Sequence, residues 1–285
     1  MNGLYWLASF PKSGNTWFRT FLRNYIDNAD QPADINDLET GSIASNRAWL
    51  DDVLGFDTAD LSFDEADRLR PSVYEWPNNE ESIGYHKIHE AYFLTPDNVP
   101  LIGTKTTLGA VYILRNPLDV APSYANHLNE TVDKAIQSMG DPKGALAKST
   151  QKLTSQVRQF MGTWSNHVTS WVDAPGLNRL VLRYEDMQSD PHAAFAEAVR
   201  FLGLDLDQTR LAKAIRFSSF DIVASQEKAV GFRERPANAE KFFRKGVSGD
   251  WRERLSPAQV ARIVQDHGPV MRRFGYLDAH NQPIG

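Results

Sequence analysis

The feature that most constrains this chain is a short polar loop between an apolar run and an amphipathic pattern. Residues 4–9 are apolar and few, which predicts a buried β-strand. Residues 16–27 repeat large apolar side chains at spacings of four, which predicts a helix with one wide apolar face. The loop "PKSG" therefore lies between the carboxyl end of a strand and the amino end of a helix. Backbone N–H groups and the helix dipole both favour an anion at such a place.

Further strands and helices alternate along the chain, which predicts an α/β fold with a central parallel sheet flanked by helices. We expect one domain over residues 1–285, with ligands bound beyond the carboxyl ends of the strands. Residues 28–82 are less regular, and residues 126–150 are predicted to be a mobile excursion. Further strands are predicted at 83–89, 110–114 and 179–187. Helices are predicted after a capping Ser62, after Asn116 and over 160–171. Another capped helix ends near Gly203, and the last helix starts near Ser256.

The composition limits the classes of protein that the chain can belong to. Its 285 residues are 41% hydrophobic and 24% charged, which favours a packed core over disorder, and the net charge of −5 argues against a general nucleic-acid binder. Cysteine is absent, which excludes disulfides, thiolate nucleophiles and cysteine metal sites. The first apolar run is interrupted at Pro11, and no run approaches the ~18 residues of a membrane helix. We therefore expect a cytoplasmic protein without a membrane span.

The first loop differs from the usual nucleotide-triphosphate loop. The latter reads G-x-x-x-x-G-K-[ST], whereas here Gly14 is the only glycine and Lys12 precedes it. Backbone N–H groups, the Lys12 ammonium and the polar side chains of Ser13, Asn15 and Thr16 can still bind one tetrahedral anion. The loop is shorter than a triphosphate cradle, so we expect a smaller or differently branched anion. A plain polar turn is the competing interpretation, because these residue types are common in turns.

Two further stretches carry basic residues where an anion can approach. Arg115 closes a predicted strand and Ser123 lies about two turns into the next helix, and an arginine can bind a phosphate through two parallel hydrogen bonds. In "FFRKGVSGDW" (Phe242 to Trp251), Arg244 and Lys245 precede glycines that let the backbone approach an anion closely. Each stretch alone is also compatible with a solvated basic surface. Three of them in a chain of net negative charge favour an anion site.

Together these stretches resemble the PAPS-dependent, cytosolic-type sulfotransferases (sulfotransferase type 1 domain). "FPKSGNTW" resembles their 5′-phosphosulfate loop, usually YPKSGTTW, with Asn15 in place of the commoner threonine. "LRNPLDVAPSY" resembles their 3′-phosphate motif, and "RKGVSGDW" resembles their C-terminal RKGxxGDW motif. "GTWSNHVTSW" and "VLRYEDM" also resemble family segments, in the family's order. The resemblance covers most of the chain and is weakest at residues 28–82 and 126–150.

The resemblance implies that the anion is the 5′-phosphosulfate of 3′-phosphoadenosine 5′-phosphosulfate (PAPS). Adenosine 3′,5′-bisphosphate (PAP) would be the product, and no metal is implied. By the same resemblance, the 5′ end is bound by Lys12, Ser13, Gly14, Asn15, Thr16 and Trp17, with Trp17 against the adenine; the 3′-phosphate by Arg115, Ser123, Arg244, Lys245 and Gly246; and the adenine by Tyr184, Ser218 and Phe220.

The family uses a histidine in a K-T-H context as the base that takes the proton of the attacking hydroxyl. A histidine, with an unperturbed pKa of about 6.5, suits this task at neutral pH. "YHKIHEAYF" supplies Lys87 and His89 one residue apart, so strand alternation would place them on one face and His86 on the other. We therefore expect His89 to be the general base of an in-line displacement, with a purely structural histidine as the competing interpretation. Lys87, Lys12 and Ser123 complete the implied catalytic set, in which Lys87 faces the sulfonate and Lys12 stabilises the leaving oxygen.

Two other classes of function stay open at this point. A P-loop kinase using ATP predicts a Gly-Lys-Ser/Thr end to the first loop, which is absent, and an acidic magnesium ligand. A non-catalytic binding protein on the same fold would need no base. We expect a small-molecule acceptor bearing a hydroxyl or an amine, but phenols, steroids, amines, glycans and peptides all fit the sequence. The oligomeric state is also open, because "RERLSPAQVARI" departs from the K-x-x-x-T-V-x-x-x-E dimer segment of many family members.

Overall fold

The computed structural model describes residues 3–38, 41–76, 83–236 and 241–284, and its elements alternate between strand and helix. The first half of the chain contains β1 (Gly3–Ser9), α1 (Asn15–Asp27), α2 (Arg47–Leu54), a 3-10 helix (Thr58–Asp60), α3 (Phe63–Tyr74), β2 (Ile83–Ile88), β3 (Thr107–Leu114), α4 (Pro117–Leu128) and α5 (Val132–Met139). The second half contains β4 (Ala145–Leu146), β5 (Gln159–Phe160), α6 (Trp164–Val172), β6 (Arg179–Arg183), α7 (Tyr184–Ser189), α8 (Pro191–Phe201), α9 (Gln208–Phe217), α10 (Phe220–Val230), α11 (Trp251–Arg254) and α12 (Pro257–Arg273).

The sheet confirms the predicted α/β class with a central parallel sheet flanked by helices. Its strand order is β2–β1–β3–β6, and β1 pairs in parallel with β2 from Gly3 opposite Ile83 to Ala8 opposite Ile88. All seven residues of β1 are buried, as expected for a strand covered on both faces. No helix in the described ranges is long and apolar enough to span a membrane.

The chain forms two compact units, each with its own core. The first comprises Met1–Phe10, Thr40–Tyr112 and Asp141–Arg179, and the second comprises Pro11–Glu39, Ile113–Gly140 and Leu180–Gly285. In the first unit the buried Trp6 ring meets Tyr74 edge to face, with 4.9 Å between ring centroids. In the second unit Phe21 of α1 stacks on Phe195 of α8 at 4.0 Å, so the apolar face predicted for α1 is buried in a helical core.

The local signals for helix starts are confirmed by the structure. Ser62 and Glu65 form a reciprocal capping box at the start of α3. The side chain of Asn116 accepts a hydrogen bond from the Leu118 N–H, and a proline follows at the first position of α4. Ser256 forms a second capping box at the start of α12. These side chains satisfy N–H groups that a helix leaves without partners at its first turn, which is why they are readable from sequence.

One of the sequence predictions about regularity is wrong. Residues 126–150 are not a mobile excursion, because α5 forms there with Thr131 as its cap and buries Ala135, Ile136 and Met139. That apolar face spans little more than one helical turn, too short for a clear period. Residues 28–82, which were expected to be less regular, contain α2 in addition to the helix predicted after Ser62; α2 begins at a capping Asn46 and ends before Gly55.

Two element boundaries also differ from the predictions. The strand expected over 179–187 ends at Arg183, and Tyr184 begins α7, whose first turn carries two acidic residues that favour a helix N-terminus. The helix expected from Phe160 begins at Trp164, because the Thr163 side chain accepts a hydrogen bond from the backbone of Asn166. Phe160 instead pairs in the small antiparallel sheet of β4 and β5.

Candidate active site

The loop between β1 and α1 has the backbone geometry of an anion cradle. Lys12 and Gly14 both adopt left-handed conformations, with φ of 69° and 106°, which turns successive N–H groups toward one side. Gly14 has no substitute here, because a Cβ on it would lie 2.6 Å from Cδ2 of Tyr184. The N-cap residue of α1 is Gly14, which has no side chain that could cap the helix, so this helix end presents its positive dipole to the loop.

Two buried polar atoms beside this loop fit a bound anion. Ser13 is 1% exposed, and its Oγ has no hydrogen-bond partner among the described residues. The Nε of Arg115, itself 9% exposed, is likewise without a partner in that part of the chain. Buried donors are normally paired, so two unpaired donors at one loop indicate a ligand that carries acceptor oxygens.

Arg115 joins the first loop to the C-terminal motif within the second unit. Its Nη1 donates to the carbonyl oxygen of Lys12 at 3.1 Å, and its Nη2 donates to that of Val247 at 2.9 Å. Its guanidinium lies 4.3 Å from the centroid of the Tyr184 ring. Guanidinium carries five N–H donors, so these two bonds orient the group and leave other donors that can bind a phosphate.

The C-terminal motif holds its two cations on one carboxylate. Arg244 Nη2 and Lys245 Nζ both hydrogen-bond to Asp250, with the lysine contact at 2.5 Å. The hydrogen bond to Asp250 raises the pKa of Lys245. Burial alone would raise the pKa of Asp250, but the hydrogen bonds from Lys245 and Arg244 hold it below its usual value. Lys245 and Asp250 are therefore both charged at neutral pH. The two cations, Arg244 and Lys245, lie at the same end of the motif.

Gly246, the next residue, adopts φ of 63°, and a Cβ there would overlap the ring of Phe220. The structure thus brings together two residues that the sequence assigns separately, one to the phosphate and one to the adenine. Glycine is required here by backbone conformation and by close approach.

Two residues that hold these loops were missed by the sequence analysis. The buried carboxylate of Asp119 accepts hydrogen bonds from the backbone N–H groups of Gly249 (2.8 Å) and Trp251 (3.0 Å). Gln188 of α7 accepts from the backbone N–H (2.9 Å) and the hydroxyl (2.6 Å) of Ser248. Asp119 stands inside the second motif, but no local pattern indicated that its partners lie about 130 residues away.

The residues assigned to adenine are aromatic or buried. Trp17 meets the ring of Tyr184 edge to face, with centroids 5.5 Å apart, and Tyr184 is itself buried, which raises its pKa. Ser218 is fully buried and donates its hydroxyl hydrogen to the carbonyl of Ile215 at 3.1 Å. Ser123, which is assigned to the 3′-phosphate rather than to the adenine, is half-buried in α4, two turns after Arg115. All the residues assigned to the donor thus belong to the second unit.

The first unit contains the residues assigned to proton transfer. His89 directly follows β2, and its ring Nδ1 donates to the carbonyl oxygen of Ser9 at 2.8 Å, with the Ser9 hydroxyl 3.4 Å from the same nitrogen. Lys87 of β2 is half-buried. His86 is 8% exposed, stacks on Trp49 with 4.5 Å between centroids, and hydrogen-bonds through Nδ1 to a backbone carbonyl. Burial, stacking and this hydrogen bond give His86 a structural environment.

Metal ligands do not cluster in the part of the chain that the structure describes: it contains no group of three or more histidine, aspartate or glutamate side chains able to hold an ion.

Comparison with known proteins identifies the family. The model of the Sulfotransferase domain family matches residues 4–275. Sulfotransferase 1 family member D1 of Rattus norvegicus is 25% identical over 266 residues, covering 92% of this chain and 81% of the relative. Sulfotransferase 2A6 of Mus musculus is 26% identical over 268 residues, covering 91% and 82%.

Solved structures agree on the fold. Mouse sulfotransferase SULT7A1 complexed with PAP superposes with a TM-score of 0.62 at 21% identity, covering 95% of this chain and 85% of that one. Retinol dehydratase in complex with androsterone and PAP gives a TM-score of 0.58 at 19% identity, covering 94% and 80%. The family expected from the motifs is confirmed: this chain belongs to the sulfotransferase family.

Proposed function

We propose that this enzyme transfers the sulfonate group of PAPS to a hydroxyl, or an amine, of a small-molecule acceptor, and releases PAP. The observation that carries the proposal is Arg115, which joins two of the three motif loops while its Nε and the nearby Ser13 Oγ stay buried without partners among the described residues. The similar structures that contain PAP support the same nucleotide.

The donor site follows from the chemistry of the residues that would line it. The left-handed loop at Lys12 and Gly14 offers backbone N–H groups and an ammonium to the 5′-phosphosulfate. Ser13, Asn15 and Thr16 add polar hydrogens to the same end of the donor. The 3′-phosphate would be bound by Arg115, Ser123, Arg244, Lys245 and the backbone of Gly246, and the adenine would contact Trp17, Tyr184, Ser218 and Phe220.

His89 is proposed as the general base, and its hydrogen bond defines which nitrogen acts. A carbonyl oxygen can only accept, so Nδ1 of His89 carries the hydrogen that points at Ser9. In the neutral ring the lone pair then resides on Nε2, which is the nitrogen that takes the acceptor's proton. The carbonyl of Ser9 also stabilises the imidazolium that forms, since it accepts from Nδ1–H in either charge state.

The donor supplies an activated sulfonate, whose S–O bond to phosphate breaks as the acceptor oxygen attacks in line. Lys87 would stabilise charge on the sulfonate, and Lys12 would stabilise charge on the departing phosphate oxygen. Ser123 would complete the set from α4. The protein thus contributes position and charge, while the bond energy comes from the donor.

Domain organisation, localisation and the competing kinase function complete the proposal. We propose that residues 1–285 act as one domain, because the chain passes between its two units after residues 10, 39, 112, 140 and 179. Cytoplasmic localisation stays a prediction from the sequence. The ATP-dependent kinase alternative is not favoured, since the chain belongs to the sulfotransferase family.

Calorimetric titration tests the donor site. We expect tight binding of PAP, much weaker binding of 5′-AMP, and no effect of magnesium on either. The difference between PAP and 5′-AMP measures the 3′-phosphate site directly. Stronger binding of ATP with magnesium than of PAP would contradict the proposal.

Replacement of the base tests the mechanism. We expect His89→Ala to remove most turnover while PAP affinity stays near that of the wild type, because the donor residues lie in the other unit. His192→Ala, at an exposed histidine of α8, is the matched control and should keep full turnover. Near-normal turnover in His89→Ala would refute the assignment of the base.

A further inference from the structure

One peptide group holds both ends of a hydrogen-bonded circuit around His89. The carbonyl oxygen of Ser9 accepts from Nδ1 of His89 at 2.8 Å. The N–H of the same peptide, on Phe10, hydrogen-bonds to the phenolic oxygen of Tyr112. Phe10 is followed by Pro11 and Lys12, so this peptide directly precedes the loop assigned to the phosphosulfate.

The circuit continues through a buried histidine. The hydroxyl oxygen of Tyr112 lies 2.9 Å from Nδ1 of His167. On the other side of the ring, Nε2 of His167 lies 2.9 Å from the carbonyl oxygen of His89. His167 is 0% exposed and Tyr112 is 1% exposed, so neither side chain meets solvent. The ring of Phe10 packs edge to face on His167 at 5.4 Å between centroids.

The direction of each hydrogen bond follows from donor and acceptor chemistry. The carbonyl of His89 can only accept, so Nε2 of His167 carries a hydrogen. Burial lowers the pKa of His167 to about 4, against a smaller opposing effect of the backbone carbonyls, so the ring is neutral at pH 7. Its Nδ1 therefore holds a lone pair and accepts the hydroxyl hydrogen of Tyr112. Tyr112 in turn accepts from the Phe10 N–H, and every link has one possible direction.

We propose that Tyr112 and His167 are positioning residues for the catalytic base, an inference that rests on the proposed role of His89. The two side chains fix the backbone of His89 through its carbonyl, while Ser9 fixes its ring through Nδ1. His89 is thereby held at its ring and at its backbone, and both contacts trace back to the peptide group between Ser9 and Phe10. The ring is in the tautomer that presents Nε2 to the acceptor. Hydrogen bonds in such a chain polarise one another, so a proton taken up by His89 strengthens the bond to Ser9.

A second set of bonds holds the residue after His89. Trp171 donates its indole N–H to the carbonyl of Glu90 at 2.8 Å, and the backbone N–H of His89 donates to the Glu90 carboxylate at 3.2 Å. The strand end that carries the base is thus not held by Tyr112 and His167 alone. Removal of the circuit is therefore expected to misorient the ring of His89 rather than to unfold the strand.

Steady-state kinetics of matched variants test the proposal. Tyr112→Phe deletes only the hydroxyl, and His167→Phe deletes both nitrogens while it keeps an aromatic ring. We expect kcat to fall on the order of 10- to 100-fold in His167→Phe, as for a reacting group displaced by about 1 Å, and less in Tyr112→Phe. The KM for the donor and the affinity for PAP should stay as in the wild type. His267→Phe, at another buried histidine whose pKa burial lowers to about 4, should leave kcat unchanged.

A conservative rescue separates positioning from packing. His167→Gln keeps an N–H that can donate to the His89 carbonyl, and it should recover most of the kcat that His167→Phe loses. Equal losses in His167→Gln, His167→Phe and His267→Phe would mean that packing alone matters, and that result would overturn the proposal. So would wild-type kcat in both Tyr112→Phe and His167→Phe.

Long-range ¹H–¹⁵N spectra of histidine-labelled protein give a readout that does not depend on turnover. We expect the Nδ1–H tautomer for His89 and the Nε2–H tautomer for His167 at pH 7, each assigned by loss of its signal in His89→Gln or His167→Gln. The opposite tautomer at either ring would overturn the circuit even if a variant fails to fold. If His89→Ala keeps its turnover while both tautomers are as expected, the base assignment fails and the circuit itself stands.

Discussion

Lowering the pH from 6.5 to 5 is expected to destabilise this protein through two buried histidines. Burial lowers the pKa of both His167 and His267 to about 4, against about 6.5 in an unfolded chain. Below pH 6.5 the unfolded chain therefore binds protons that the folded protein excludes. The contribution of these two histidines to stability is therefore present above pH 6.5 and is lost as the pH falls toward 4.

The magnitude follows from the two pKa values. Between pH 6.5 and pH 5 each histidine should lower the free energy of unfolding by about 1.5 kcal/mol, or roughly 3 kcal/mol for both. Urea unfolding at several pH values in this range measures the slope. Glu185 works in the opposite direction, since burial raises its pKa and the folded protein takes up its proton first.

Comparison of histidine variants with the wild type separates the effect of each histidine from that of Glu185, which is the same in all of these proteins. His167→Gln and His267→Gln should each reduce the loss between pH 6.5 and pH 5 by about 1.5 kcal/mol relative to the wild type. His192→Gln, at an exposed histidine, should leave the loss unchanged. A loss that is the same in the wild type and both buried-site variants would refute the reasoning, because neither histidine would then be excluding a proton.

Three other substitutions test how the site is built. Gly246→Ala places a side chain on a left-handed backbone and against the ring of Phe220. PAP affinity measured by calorimetry should therefore fall at least about tenfold. Unchanged affinity would contradict the close approach of Gly246 to Phe220. Asp119→Ala leaves two backbone N–H groups of the C-terminal motif without their acceptor, at a cost of about 1–3 kcal/mol each. PAP should therefore bind at least about tenfold more weakly. Wild-type affinity would refute the role of Asp119 in holding this motif. Arg70→Met leaves the fully buried Glu90 without its cation. The free energy of unfolding, measured by urea denaturation, should fall by about 3–5 kcal/mol. A loss under about 1 kcal/mol would contradict the burial of this ion pair.

The sequence predicted those parts of the fold whose causes are local. The boundaries of β1 and α1 follow from an apolar run and a period of four, and the starts of α3, α4 and α12 follow from capping side chains. The failures have a common cause. Helix α5 and the turn from β6 into α7 depend on burial of short segments, so their patterns are too brief to be distinguished from loop or strand.

The candidate donor residues could be proposed from the sequence because each motif is a contiguous run. Left-handed backbone at Gly14 and Gly246, and cations beside each, belong to short stretches of sequence whose chemistry is readable there. The roles of Asp119 and Gln188 were not readable, because each holds a loop that is 60 or more residues away along the chain.

The sequence by itself determined which chemical groups the protein has: a lysine and a glycine in the first loop, an arginine at the end of β3, and a histidine after β2. Only the tertiary structure decided what those groups contact. It directs Nδ1 of His89 at the carbonyl of Ser9 and encloses His167 so that its ring is neutral. Residue types and local propensities are properties of neighbours in the chain, whereas a tautomer, a lowered pKa and a shared peptide depend on burial among residues that are 55 to 157 positions apart.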